Sequence, residues 1–593
     1  MPIKDDTSKP CLVEARQGLS VLYKNRYLYS KYNPATSIER LVDNMELKND
    51  TLILCISPVL GYGLRKLVEK LPSGCFLLVI EADDNLLALY NHQQSHLSSN
   101  SEEKLTVNDF LTKNSFAKIG FLGPHRLEYI YTLLTKKNQV TDNGVQIPHP
   151  GSFKYCVRID CSASPALRQE EYQRIQQRAE LAVANFWKNR LTLIKMGRLY
   201  HRNIFRNLAL LPFSHEIPTK KIDFPLLVLG AGPSADKTIE HLSLMTRDNR
   251  ERIYIVAVDA VVPALLTRNI KPNLVLALEC QHAIQQAYTL ATDTELFILA
   301  DITSRPSILH YDTSSGIKYD KKLLKKNCTG GKTAFFSTEF AGSRFLERLQ
   351  QEDLIHQILP PMGSVGIVAM EMALMLRKNP RTPVYVSGLD FSFLIERSHC
   401  KESFQIRNSF FQANRIKQAG SFHYLSNPTT EKQLGKSGMV YTDQVLSYYR
   451  QIFCDRFHGV INAYDVGNHG LDLGLERRDF SQLVSAISPT AERICEYDSA
   501  AYHEVKKNQQ LAEKIQKFYQ KEEAMLQELR NGLSTGNICQ ERILEILEEA
   551  DYLYLHFPDG YKPSLDLSFL KRVRSEIDFF LKDIALGKKL LEE

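Results

Sequence analysis

Pro225-Leu-Leu-Val-Leu-Gly230-Ala-Gly232-Pro233-Ser234 sets the terms for the rest of the chain. An apolar run that stops at two glycines and a serine reads as a buried strand breaking into a helix. Backbone N–H groups at such a helix start are free to meet an anion. A second turn of this kind, Pro361-Met-Gly363-Ser364-Val365-Gly366, opens the helical pattern IVAMEMALMLRK, and the strand-like PVYVSGLDF follows at 383–391. Two such turns in one sheet predict a nucleotide-carrying substrate held at two points, which makes an enzyme the leading reading.

Around these turns, 226–229, 253–258, 274–278, 296–300 and 384–387 read as continuous apolar strands, most of them separated by helical patterns. That alternation predicts a parallel, doubly wound α/β sheet. A smaller α/β domain precedes it. There TLILCIS (51–57), the turn Pro58-Val-Leu-Gly61-Tyr-Gly63, LRKLVEKL and a run at 75–80 ending in Glu81-Ala-Asp83 follow the order strand, turn, helix, strand, acid. Pro58 removes an N–H that a phosphate would use, so this unit is either a nucleotide site or a scaffold. The stretch 91–108 reads as a surface loop. Ser164-Pro165 starts a long helical pattern that holds the single tryptophan, Trp187, and carries Lys188, Arg190, Lys195, Arg198, Arg202 and Arg206. Those cations form either a solvated face or a surface for an acidic partner. Beyond 495 the chain is helical: Leu511, Ile515, Phe518, Met525 and Leu529 share a face, Gly532 sits at a C-cap position, and amphipathic helices are expected at 542–555 and 567–586. The expected domains are 1–160, a helical linker 161–215, a central domain 216–490 and a helical region 491–593.

Chain length, 593 residues, exceeds what one hydrophobic core supports. A net charge of +6 with widely spread Lys and Arg gives no case for nucleic acid. No run of about 20 apolar residues is present to span a bilayer, and MPIKDDTSKPCLVEAR lacks the apolar core of a signal peptide. Eleven scattered cysteines without a CxxC pair read as reduced thiols. These features together predict a cytoplasmic protein.

Gly230-Ala-Gly232-Pro233-Ser234-Ala235 fits the loose dinucleotide pattern G-x-G-x-x-[GA], and Asp259 closes the next strand where a ribose-binding acid would lie. Pro233 is awkward for a loop that should donate N–H groups. Ser234 then either caps the helix or holds a phosphate. Gly331-Lys332-Thr333 and Gly435-Lys436-Ser437 mimic a phosphate-binding P-loop, but Lys326 and Thr430 replace the leading glycine. Asp390 either holds a ribose or sugar hydroxyl or caps a turn. His399 and His423 are the downstream histidines suited to proton transfer. Leu278-Glu279-Cys280-Gln281 supplies one acid where a metal-bound nucleoside diphosphate would want two, so no metal and no resident cofactor are predicted.

Several segments together resemble the motility-associated factor family of bacterial flagellin glycosyltransferases: GAGPS, VDAVVPALLTRNIKPNLVLALE, GSVGIVAMEMALML and PVYVSGLDFSF. Further matches are Gly435-Lys-Ser-Gly-Met-Val-Tyr-Thr442, Asn462-Ala-Tyr-Asp-Val-Gly-Asn-His469-Gly470 and, near the N-terminus, Leu28-Tyr-Ser30-Lys-Tyr-Asn33-Pro34. The central segment is also similar to bacterial sialyltransferases. The resemblance implies a Rossmann-like central domain and transfer of a nonulosonic acid, pseudaminic or legionaminic acid-like, from its CMP-activated form to Ser or Thr of flagellin. It places Gly230, Gly232, Pro233, Ser234, Gly363, Ser364, Val365, Gly388 and Asp390 around the donor, with Asp259 and Glu279 facing the same crevice. His399 falls where the family often carries a histidine, which makes it the first choice for a proton-transfer or phosphate-stabilising role, with Asp390 as the second candidate catalytic residue. Departures are Asn273 for the family's usual aspartate, Glu279 for an aspartate at the strand end, and Leu389-Asp390-Phe391 for Gln-Asp-Leu. An MptE-like pterin diphosphokinase and a non-catalytic flagellin-binding scaffold are the competing readings.

Overall fold

Strands that are apolar from end to end must be covered on both faces, and the chain meets that demand twice. The computed structural model describes residues 9–89, 118–135, 139–218, 221–291, 296–306, 332–338, 343–355, 358–416, 418–420, 428–487 and 507–592. It divides into two compact units, Met1–Thr192 and Leu193–Glu593. The stretch 91–108 and His423 lie outside the described residues.

In the first unit β1 (Cys11–Glu14), β2 (Leu19–Tyr23) and β3 (Arg26–Tyr27) form a small antiparallel sheet ahead of α1 (Pro34–Asn44). β4 (Thr51–Ile56), α2 (Leu64–Glu69), β5 (Phe76–Ile80), β6 (Lys118–Leu122) and β7 (Tyr155–Asp160) follow, the strands all parallel in the order β6-β5-β4-β7. The turn after β4 closes on itself. Ser57 donates its hydroxyl to Glu81 at 2.6 Å, and the same carboxylate accepts from the Tyr172 hydroxyl at 2.9 Å and the Asp83 N–H at 3.0 Å. Burial holds the Glu81 carboxyl above its ordinary range. Tyr172 lies on the long helix α3 (Gln169–Leu208), where Trp187 donates its indole N–H to the Phe153 carbonyl at 2.6 Å.

The second unit holds β8 (Leu226–Leu229), α4 (Ala235–Leu244), β9 (Tyr254–Val258), β10 (Leu274–Ala277), β11 (Phe297–Asp301), β12 (Lys332–Thr338), α5 (Arg344–Gln351), β13 (Ile358–Leu359), α6 (Val365–Leu376) and β14 (Val384–Ser387). Then come α7 (Phe404–Phe411), the hairpin β15 (Glu431–Gly435) and β16 (Gly438–Thr442), α8 (Gln444–Phe457), β17 (Ala463–Asp465) and β18 (Glu476–Arg477). The main sheet is parallel throughout, in the order β13-β12-β11-β10-β9-β8-β14-β17-β18. The fold is therefore the doubly wound, Rossmann-like α/β class expected from the apolar runs. The chain winds outward from β8 to β13, then returns to the other side of β8, so the strand order reverses between β8 and β14. α6, buried along most of its length, packs on β8, β9, β10 and β14. Both P-loop mimics dissolve in this topology. Lys332 begins β12, and Lys436-Ser437 form the hairpin tip between β15 and β16.

The C-terminal region is helical, with α9 (Gln509–Thr535), α10 (Gln540–Glu549) and α11 (Leu567–Glu592). Gly536, in the left-handed conformation, ends α9; Gly532, expected at the C-cap, lies inside the helix, and Ile538 packs where a side chain at 532 would be. Phe205 from α3, Phe345 from α5, and Tyr519, Tyr552 and Phe580 from the C-terminal region form one aromatic core. Two cations of the basic stripe are claimed within the unit: Arg198 bonds Glu576 and Arg206 bonds Asp583, each at 2.8 Å. Their acidic partner is the chain's own α11. Among the described residues no helix is long and apolar enough to cross a membrane.

Arg348, 5% exposed, pairs with Glu522, fully buried, and the Tyr552 hydroxyl donates to the same carboxylate at 2.8 Å. Glu522→Ala removes the buried carboxylate that matches Arg348 and leaves it only the longer contact to the half-exposed Glu549, at 3.8 Å, so we expect a loss of about 3–5 kcal/mol by urea unfolding. The double change Arg348→Met, Glu522→Leu should recover most of it. Equal losses in both variants would show that packing, not charge pairing, holds this core.

Candidate functional site

At the reversal, the ends of β8 and β14 touch through bare backbone. A β-carbon at Gly230 would lie 2.3 Å from the Gly388 carbonyl oxygen, and Gly388 itself has φ 73, a conformation that favours glycine. Gly230 N–H donates to the Ser387 carbonyl and Gly232 N–H to the Gly388 carbonyl, each at 2.8 Å. Phe391, at φ 46, carries the chain sharply away after Asp390.

Leu389 joins the two glycine turns. β-Carbons at Gly230 and at Gly366 would approach the same Leu389 methyl group, at 2.5 and 2.2 Å. The turns that lie far apart in sequence thus meet on one side chain.

They are not equivalent. In the first turn Pro233 and Ser234 are buried. Ser234 donates both its N–H, at 2.8 Å, and its hydroxyl to Asp390, while its hydroxyl oxygen accepts the Gly388 N–H at 2.9 Å. It makes no side-chain cap to α4, and its donors are already used. The second turn is the open one. Ser364 caps α6 by accepting the Gly366 N–H at 3.3 Å. Among the described residues the N–H groups of Gly363, Ser364 and Val365 have no hydrogen-bond partner, and all three residues are at least partly exposed. They stand at the N-terminus of a 12-residue helix, where the dipole favours an anion.

Acids end the successive strands. Asp259, Asp301, Asp390 and Asp465 are at most 4% exposed; Glu279, just past β10, is partly exposed. Each binds a turning backbone: Asp259 the Ala260 N–H (2.7 Å), Glu279 the Gln281 N–H (2.9 Å), Asp301 the Thr303 N–H (2.8 Å) and Asp465 the Gly467 N–H (2.9 Å). Burial raises the Asp259 carboxyl to about 7, with Glu279 adding a repulsive charge against the lowering from the Ala260 N–H. Asp390 and Asp465 are also held high by burial, opposed by the Lys436 ammonium, which lies 2.7 Å from Asp465. Burial likewise pushes up the Tyr200 phenol of α3, which feels Glu279, Asp301 and Tyr449. Among the described residues no group of three or more His, Cys, Asp and Glu is placed to hold a metal.

His399 lies on a loop tied to the first turn: Cys400 N–H donates to the Ala231 carbonyl at 2.8 Å, and Lys401 N–H to Asp236 at 2.9 Å. Its Nδ1 meets Ser398 Oγ at 2.9 Å, and burial without a counter-charge lowers it to about 4. The imidazole is neutral at physiological pH and a weak base. Asn273 accepts the Ile255 N–H at 2.8 Å ahead of β10, at the opposite end of the sheet from the two turns, so this departure from the family does not touch the site. Asp301, Lys436, Asp465, Tyr200 and Tyr449 are not evident as site residues in the sequence. Asp301 carries a signal as an apolar run ending in an acid (FILAD), and Lys436 and Asp465 lie inside two of the segments that resemble the family, whereas Tyr200 and Tyr449 carry none.

Comparison with known proteins follows the same lines. The family model described as 6-hydroxymethylpterin diphosphokinase MptE-like matches residues 200–396. A structure of MAf glycosyltransferase from Magnetospirillum magneticum AMB-1 shares the fold, with a TM-score of 0.53 and 14% identity over 98% of this chain and 92% of that one. An uncharacterized protein of Treponema pallidum (strain Nichols) is 28% identical over 97% of this chain and 94% of its own length. Residues 200–396 are thus similar to the MptE-like family, and the chain shares the fold of a MAf glycosyltransferase, in agreement with the resemblance to motility-associated factor proteins read from its segments.

Asp259 titrates abnormally because it is buried, which fixes a sign. Between about pH 4, where the unfolded carboxyl ionises, and about 7, where the folded one does, the folded state binds more protons. Stability then falls as pH rises. Asp259→Asn should flatten that limb and raise stability at pH 8, by up to about 4 kcal/mol, with little change at pH 4. A parallel downward shift at every pH would show that the carboxylate is needed for folding.

Proposed function

We propose that the chain is a glycosyltransferase that uses a CMP-activated nonulosonic acid and delivers the sugar to Ser or Thr hydroxyls of flagellin. The observation that carries this reading is the pairing of an open helix N-terminus, at Gly363 to Val365, with an acid-lined carboxyl edge at the point where the strand order reverses. Open α/β sheets receive ligands at that point. The phosphate of a sugar nucleotide fits the α6 N–H groups, and Glu279 fits a ribose or sugar hydroxyl. Such a reaction asks little covalent work of the protein. The C–O bond to phosphate breaks as positive charge grows on the sugar, and donors fixed in place stabilise the departing phosphate. The shared fold with a MAf glycosyltransferase supports the class. The family model's description favours a second reading, diphosphoryl transfer from ATP to a pterin.

Thermal unfolding with CMP, ATP plus magnesium, and NAD separates these readings: stabilisation by CMP alone is expected, and stabilisation by ATP alone would favour the kinase. Ser364→Asp keeps a capping side chain but sets a negative charge against the phosphate. It should weaken CMP binding roughly tenfold or more without lowering the melting temperature; unchanged affinity would remove α6 from the site. The mass of flagellin from cells with and without the gene tests the acceptor, and an identical mass would exclude it.

A further inference from the structure

A third element reaches the carboxyl edge beside the two glycine turns. The hairpin tip Lys436-Ser437 and the loop after β17, Val466-Gly467-Asn468-His469-Gly470, are locked together over Asp390. Lys436 N–H donates to the Gly470 carbonyl at 2.8 Å, and Leu471 N–H to the Asp390 carbonyl at 2.9 Å. A β-carbon at Gly470, where φ is 97, would lie 2.6 Å from Asp390 Cα, and one at Gly467 would lie 3.1 Å from Ser234 Oγ. Gly467 and Gly470, on either side of His469 in the loop, are thereby held against Ser234 and Asp390.

Around it most polar groups are committed. Asp390 takes the donors of Ser234, and Lys436 pairs with Asp465, with both side chains at most 2% exposed. His469 is half-buried, and its Nδ1 lies 2.6 Å from Ser437 Oγ. Among the described residues His469 Nε2 has no hydrogen-bond partner. The neighbouring Asn468 Oδ1, shielded from solvent, has none either. When Nδ1–H donates to Ser437, Nε2 is a bare acceptor at the exposed lip of the site.

We infer that His469, oriented by Ser437, is the group that takes the proton from the acceptor hydroxyl, and that the 467–469 loop with the hairpin tip forms the acceptor-side wall. The inference rests on the glycosyl-transfer reading above and moves the proton-transfer role from His399 to His469. In the step, the hydroxyl O–H bond breaks and its proton passes to Nε2. The freed oxygen bonds the anomeric carbon as the C–O bond to phosphate breaks, and the nucleoside monophosphate leaves with that electron pair. Ser437 is a positioning residue in this scheme.

Two measurements on the full chain test it. Diethyl pyrocarbonate labelling with peptide mapping needs no turnover: His469 should be carbethoxylated ahead of His399 and shielded by CMP. Labelling that CMP leaves unchanged would overturn the placement. In transfer assays His469→Asn should lower kcat by about 100-fold or more, with the donor KM within about twofold and melting unchanged. Ser437→Ala should lower kcat about tenfold, with Ser437→Thr restoring it. A His469→Asn variant that retains most of the wild-type kcat would sink the assignment. A wild-type chain that transfers no sugar, yet shows His469 shielded by CMP, would sink the reaction and leave His469 as a pocket residue.

Discussion

Asp390 accepts hydrogen bonds from the backbone and hydroxyl of Ser234 across the point where the strand order reverses, and the geometry of the carboxyl edge follows from that bond. β8 and β14 pair directly there, so their ends must turn apart within a few atoms of each other. Glycines at 230 and 388 allow the approach, and Asp390 supplies the acceptor that the crowded donors need. A carboxylate buried this deeply is costly unless its lone pairs are matched. Ser234 does the matching, and the Lys436 ammonium, itself paired with Asp465, adds a favourable charge nearby from the hairpin that lies over the same residue.

The acids at the strand ends show how one residue pattern carries two meanings. An acid after an apolar strand reads equally as a ribose ligand or as a turn cap. Here each one accepts an N–H from chain that is turning away, and only Glu279 keeps appreciable exposure. A common chemistry unites both meanings: a strand end points its carboxylate at whatever donor comes next, be it the chain or a hydroxyl. Among the described residues the architecture leaves few polar groups uncommitted at this edge, and those on α6, at Glu279, at Asn468 and at His469 are what a ligand can meet.

Legibility followed burial. Strands 226–229 and 384–387 were readable residue for residue because a parallel strand covered on both faces is a plain apolar run. β13, β17 and β18 were not readable, since two- and three-residue segments make no run at all. The helical C-terminal region showed its apolar faces, yet the C-cap is Gly536, whose left-handed backbone ends the helix, while Gly532 serves packing: Ile538 takes the space a side chain there would fill. The basic stripe on α3 was ambiguous for another reason: spacing reports that cations share a face but not what opposes it, and the answer, Glu576 and Asp583, lies more than 370 residues away.

By itself the sequence determined the class of sheet, the two glycine turns and the GLDF strand end, because these depend on local apolarity and on residues that permit tight turns. Only the tertiary structure decided which turn remains open to a ligand. Both turns carry the same local signal, small residues and a serine at a helix start. One has its donors consumed by an aspartate 156 residues away, and the other keeps them free. Hydrogen-bond capacity is local, but its use is settled by whatever the fold brings opposite.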